Sequence, residues 1–136
     1  MIKILVITQI DDVDGLLNKL KKLGRVRYLV NPSEREILEI IHLYNVIFTN
    51  PNNTRIYLGK KILSKAKNLK VICTASTGTI HIDVEYLKER NIKLISLKRE
   101  ISVLNKISST AELAFTLMFA HLRNLIGSVN SVIDGN

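Results

Sequence analysis

VICTASTGTIHIDVEYLKERNIKLISL, residues Val71 to Leu97, decides the fold. Val71-Ile72-Cys73 is a short apolar run of the kind buried on both faces of a parallel sheet, and it breaks into the small, polar Thr74-Ala75-Ser76-Thr77-Gly78-Thr79. Asp83 is placed to cap a helix from Val84 to about Arg90, Asn91 to take the left-handed turn that ends it, and Ile92–Leu97 to resume as a strand. The unit is strand, tight loop, helix, strand. Loops at the carboxyl ends of parallel strands face the ligand crevice, so Ser76, Thr77 and Gly78 are the first candidates for binding a small molecule.

Upstream, the same alternation repeats. Ile4-Leu5-Val6-Ile7 lies in a first strand over residues 2–8, and Val13, Leu16, Leu17, Leu20 and Leu23 recur at helical spacing until Gly24. A second strand at 25–30 precedes Pro32 and the capping box Ser33-Glu34-Arg35-Glu36, which opens a helix carrying Ile37, Leu38, Ile40, Ile41 and Leu43. A third strand at 45–49 runs into the polar loop Asn50-Pro51-Asn52-Asn53-Thr54, and a helix around Tyr57 to Ala66 leads to the fourth strand at 70–75. With the fifth strand at 92–96, the pattern predicts an α/β fold: a flavodoxin-like, doubly wound parallel sheet of five strands in the order 2-1-3-4-5. Beyond residue 100 the pattern changes. A second capping box, Ser109-Thr110-Ala111-Glu112, is read as opening a long crossover helix to about Leu125, apolar nearly all round, which calls for cover by a partner subunit or further chain.

Composition narrows the function. The 136 residues are 46% hydrophobic and 24% charged, the balance of a globular chain, and the longest apolar segment, Leu113–Leu122, is too short to span a bilayer and carries His121. With no signal peptide in view, a cytoplasmic location is expected, and no membrane partner. The net charge of +8 is spread over helix ends and solvated faces, there is no Trp, and Tyr and Phe are scattered, so no nucleic-acid partner is expected either. Cys73, the single cysteine, reads as a packed thiol, and no residue spacing forms a metal site.

The segment Thr74–Asp83, followed at the usual distance by Ser109-Thr110-Ala111-Glu112 and by Leu122-Arg123-Asn124, resembles the D-isomer-specific 2-hydroxyacid dehydrogenases, a family that includes phosphoglycerate dehydrogenase. The resemblance implies a flavodoxin-like substrate domain at residues 1–100, then an interdomain loop and long helix at 101–136 leading toward a Rossmann domain for NAD or NADP. It implies a small 2-hydroxy or 2-oxo acid as substrate, with its carboxylate against backbone amides of Ser76, Thr77 and Gly78, and Thr110 beside the nicotinamide. The loop beginning at Asn50 would line the cleft. One departure is Ile80, where many relatives carry Asp, which puts the loop's path toward Asp83 in question.

The same resemblance implies what these residues lack. The Arg, the His and the acidic residue that perform the family's chemistry come later in its chain, and no G-x-G-x-x-G occurs here, so the 136 residues are expected to be a portion, inactive alone and without tight cofactor binding. No catalytic residue is assigned. His42 and His121 have no carboxylate spaced to orient them, and His81 reads as a loop or capping residue rather than an acid-base catalyst. The rival readings are a receiver-type signalling domain, which lacks its phosphate-accepting Asp at Phe48-Thr49-Asn50, and a non-catalytic interaction module using the last helix. In either enzymatic or interaction reading, the helix from Ser109 is expected to pair in a homodimer.

Overall fold

A computed structural model describes residues 1–52 and 55–135. Asn53 and Thr54, part of the loop expected after the third strand, lie outside the described residues, as does Asn136. By internal contacts the chain divides into two compact units, Met1–Glu100 and Ile101–Asn136.

The first unit is built on five parallel strands, β1 (Lys3–Val6), β2 (Arg25–Tyr28), β3 (Val46–Thr49), β4 (Val71–Thr74) and β5 (Lys93–Ser96), in the order β2-β1-β3-β4-β5. The expected flavodoxin-like order is therefore the observed one. Helix α1 (Leu16–Leu23) packs Leu16, Leu17 and Leu20 onto Ile4 and Val6 on one sheet face. Helices α2 (Glu34–Ile40), α3 (Lys60–Leu63) and α4 (Val84–Glu89) supply Ile37, Ile62, Leu63 and Leu87 to a larger core over Leu5, Ile7, Ile47 and Ile72. Burial of these aliphatic side chains holds the sheet, each contributing about 1.5–3 kcal/mol relative to exposure.

Local chemistry sets several boundaries as expected. Ser33 Oγ accepts from Glu36 N–H while the Glu36 carboxylate accepts from Ser33 N–H, completing the capping box; the backbone bond is the main reason the Glu36 carboxyl sits below its ordinary pKa. Asp83 accepts from Tyr86 N–H at 3.0 Å to start α4, and Asn91, at φ 54°, ends it in the left-handed conformation.

Other boundaries differ. Val13 lies outside α1 because the chain turns through Gly15 at φ 72°, and its side chain is exposed. The helix expected over Tyr57–Ala66 shrinks to Lys60–Leu63, since Leu58 forms a parallel bridge with Ile82 and extends the backbone before it. β4 is not buried on both faces: Ile72 and Thr74 are buried, whereas Val71 and Cys73 point to the α1 side and are half-buried. The Cys73 thiol is pushed up in pKa by that burial, partly offset by Lys93.

The second unit contains α5 (Ile101–Leu104), α6 (Ser109–Leu122) and α7 (Leu125–Ile133). The second capping box does not form. Ser108 stands at the N-cap position, and its hydroxyl bonds the Glu112 carboxylate directly, leaving Ser109 inside the first turn. The long helix also ends before Leu125, because Asn124 takes the left-handed conformation at φ 45°. Its side chain lies over Gly127, where an added Cβ would meet Asn124 Nδ2 at 2.5 Å, so glycine permits the break. No residue of α6 is buried, and no helix among the described residues is long and apolar enough to cross a membrane.

Candidate functional site

β1, β3 and β4 are neighbours in the sheet, so the loops after Val6, Thr49 and Thr74 gather at one end. There the β4 loop carries Ser76, Thr77 and Gly78 together on four consecutive peptide planes, and Thr77 and Gly78 are exposed. Leu97 N–H donates to Ser76 C=O at 3.0 Å, Ala75 N–H to Thr49 C=O at 3.1 Å, and Ile82 N–H to Thr79 C=O at 2.9 Å. The N–H groups of Ser76, Thr77 and Gly78 donate to no protein acceptor among the described residues. The loop is thus anchored by the Ala75 amide and by the Ser76 and Thr79 carbonyls, which leaves the three amides between them unpaired, a polarity that suits an anionic oxygen.

Gly78 has neither a positive φ nor a neighbour within 4 Å of an added Cβ. Nothing among the described residues demands glycine there, which argues against a plain turn glycine and leaves room for an approaching group. Asn50, in the adjoining β3 loop, is half-buried and folds its Oδ1 onto Asn52 N–H at 3.1 Å. After β1, Tyr28 Oη accepts from Ile10 N–H at 3.2 Å and donates to Asp11 at 2.7 Å, fixing that loop. Burial, and then the Asp11 carboxylate it donates to, hold the Tyr28 phenol above its ordinary pKa, while the Ile10 bond acts in the opposite direction.

Beneath the β4 loop lies a polar cluster that the spacing of residues did not signal. Thr49 and Thr74 are register partners on β3 and β4, both buried, and His81 is buried against Thr74. His81 Nε2 lies 3.2 Å from Thr74 Oγ1, which lies 2.9 Å from Ser76 Oγ, which in turn donates to Gly78 C=O at 2.6 Å. His81 Nδ1, Thr49 Oγ1 and Thr8 Oγ1 are buried without partners among the described residues. Burial pushes the His81 imidazole below its ordinary pKa, so it is neutral at pH 7. A weak sequence signal was present: Thr8, Thr49 and Thr74 each close an apolar strand run.

Thr110 belongs to the other unit, exposed in the first turn of α6. His42 and His121 are exposed. Among the described residues no group of three His, Cys, Asp or Glu could hold a metal. A separate basic cavity of about 390 Å³, lined by Lys3, Arg25, Arg27, Leu43 and Tyr44, sits at the amino ends of β1 and β2, away from the loops. In the first unit, the N-termini of α2 and α4 are closed by Ser33 with Glu36 and by Asp83, Asp11, Asp12 and Asp14 precede that of α1, and α3, which follows Gly59 without a side-chain cap, is only four residues long.

Comparison with known proteins settles the family. Residues 4–117 match the model of the D-isomer specific 2-hydroxyacid dehydrogenase catalytic domain. The chain belongs to this family. It is 29% identical to formate dehydrogenase of Candida boidinii over 123 residues, covering 88% of this chain and 33% of that protein. It is 30% identical to D-3-phosphoglycerate dehydrogenase of Methanocaldococcus jannaschii over 135 residues, covering 99% and 24%. Among solved structures, D-lactate dehydrogenase of Aquifex aeolicus, complexed with NAD and lactic acid, superposes with a TM-score of 0.75 at 23% identity, covering 98% of this chain and 38% of that one. The chain therefore spans a quarter to a third of these curated relatives. Solved relatives of the same fold hold NAD or NADPH.

Proposed function

We propose that these residues are the substrate-binding portion of an NAD- or NADP-dependent dehydrogenase that interconverts a small 2-hydroxy acid and its 2-oxo acid. The observation that carries the reading is the β4 loop, whose Ser76, Thr77 and Gly78 amides have no protein acceptor among the described residues, while the Cβ direction at Gly78 is open. In this reading the substrate carboxylate accepts from those amides, which orients the carbon that exchanges hydride. Charge-assisted bonds to backbone N–H groups are among the stronger ones available.

The dinucleotide is held elsewhere. The closed or acid-flanked N-termini of α1, α2 and α4, the four-residue length of α3 and the lack of a G-x-G-x-x-G turn do not fit its pyrophosphate, so only Thr110 is assigned a place beside the nicotinamide. The 136 residues alone do not catalyse, since neither the family's Arg nor its acid-base His is among them. The exposed apolar surface of α6, with Leu117 and Phe119 both more than half exposed, is assigned to an interface with a second copy of the chain.

The test is Gly78→Val in the enzyme that carries these residues together with a nucleotide domain. The valine keeps its N–H but its side chain fills the space through which the carboxylate approaches, which should raise KM roughly tenfold, the equivalent of one hydrogen bond, with the unfolding midpoint unchanged because the new Cβ meets no neighbour among the described residues. An unchanged KM removes the loop from the site. Turnover of a D-2-hydroxy acid and NAD by the 136-residue chain without a partner would refute the division of labour.

A further inference from the structure

His81 is the one histidine buried in this chain, and the direction of its hydrogen bonds can be worked out by counting protons. A carbonyl only accepts, so the bond from Ser76 Oγ to Gly78 C=O, at 2.6 Å, takes the single hydroxyl proton of Ser76. Ser76 Oγ must then accept across the 2.9 Å contact with Thr74, which takes the proton of Thr74. Thr74 Oγ1 must in turn accept from His81 Nε2 at 3.2 Å. The chain runs one way, from imidazole to Thr74 to Ser76 to the Gly78 carbonyl, and it fixes His81 as the Nε2–H tautomer with a bare lone pair on Nδ1.

The imidazole is itself held from its backbone. His81 C=O accepts from Leu58 N–H at 2.9 Å and Asp83 N–H donates to Leu58 C=O at 3.0 Å, so both sides of Ile82 are clamped to the Leu58 segment. At the other end of the chain, the peptide between Gly78 and Thr79 is planar and trans. Drawing the Gly78 carbonyl toward Ser76 therefore points the Thr79 N–H away from it and closes the arc that displays the Thr77 and Gly78 amides.

We propose that His81 is a positioning residue for the carboxylate site: through Thr74 and Ser76 it sets the orientation of the Gly78 peptide and so the direction of the loop's amide donors. The role rests on the assignment of that loop to the substrate carboxylate. Burial keeps the ring neutral, which matches a fixed donor rather than a proton carrier, and no charged group contributes to its pKa.

The experiment uses the 136-residue chain uniformly labelled with 15N, and glyoxylate as the probe. Long-range 1H–15N spectra are expected to show His81 protonated at Nε2 and unprotonated at Nδ1; the opposite tautomer overturns the proposal. Glyoxylate should shift the Ser76, Thr77 and Gly78 amide resonances. His81→Leu should displace those resonances before glyoxylate is added and raise its Kd roughly fivefold or more, the change expected for one net hydrogen bond. His81→Gln should restore both, since its amide nitrogen falls where Nε2 sits. If His81→Leu does not fold, Thr74→Val cuts the same chain nearer the loop and Thr74→Ser restores it. An unchanged Kd in the chain-breaking variant overturns the positioning role. Wild-type chain that shows the Nε2–H tautomer but binds no glyoxylate overturns the carboxylate reading and the role with it, while leaving the hydrogen-bond chain intact.

Discussion

Thr49 and Thr74 face each other across β3 and β4, both buried, yet replacing each by Val should move stability in opposite directions. In both cases a hydroxyl becomes a methyl of similar size, with strand preference little changed. Thr74 Oγ1 links His81 to Ser76, so Thr74→Val strands the His81 Nε2–H in a buried site. A buried donor left without a partner costs about 1–3 kcal/mol. Ser76 is half-buried and can turn to water, adding little. Thr49 Oγ1, by contrast, is already buried without a partner among the described residues, and Thr49→Val removes a desolvated hydroxyl without breaking any bond they make. That variant should be between neutral and about 1 kcal/mol more stable. All four tyrosines lie in the first unit, so urea unfolding followed by tyrosine fluorescence reports that unit specifically. With an m-value of about 1–3 kcal/mol/M, 1 kcal/mol moves the urea midpoint by roughly 0.3–1 M, so opposite signs are readily resolved. Equal losses at the two positions would refute the reasoning, by showing either that Thr49 has a water partner or that the His81 chain contributes nothing.

Two further outcomes follow from the same structure. Burial places the His81 pKa below 6.5, so the unfolded chain binds the proton first as pH falls; the neutral ring's contribution is complete above pH 6.5 and lost progressively below it, by at most about 1.4 kcal/mol per pH unit until the folded pKa is reached. Urea midpoints between pH 7.5 and 5 should therefore slope less in His81→Gln than in the wild type, and identical slopes would contradict the burial effect. Replacing both Leu117 and Phe119 by Glu should convert a dimer to monomers by sedimentation; a dimer that survives the double substitution rules out α6 as the interface.

The strand order was legible because each strand is a short apolar run closed by a polar loop, and such runs alternating with helices admit few parallel topologies. Ser33, Asp83 and Asn91 were legible as helix ends because their signals act within four residues. The misplaced ends have longer-range or competing causes. Tyr57 and Leu58 lie in a helical-looking segment, but pairing of Leu58 with Ile82 fixes an extended backbone, a tertiary effect that local propensity does not contain. The capping box expected from Ser109 gives way to a side-chain bond from Ser108 to Glu112, one residue further away. The break at Asn124 depends on a glycine three residues later, a pairing that helical periodicity does not register. At the site, the position of Ser76-Thr77-Gly78 could be read from where β4 stops. The cluster beneath it could not, because a polar loop residue such as His81 is buried only once the Leu58 segment is packed beside it.

The same distinction explains why Ile80 is accommodated where the family resemblance implies Asp. Its side chain is 90% exposed, so it helps neither to anchor the loop nor to fill the core. The path from Gly78 to Asp83 is set instead by Ile82 N–H on Thr79 C=O and by the two bonds to Leu58, all backbone to backbone and so indifferent to the identity of residue 80. Asp83 accordingly still caps α4. To these backbone bonds the side chains of His81, Thr74 and Ser76 add a hydrogen-bonded chain below the loop. A loop held this way loses little conformational entropy when an anion docks, which is the condition for a few backbone N–H groups to orient a small acid.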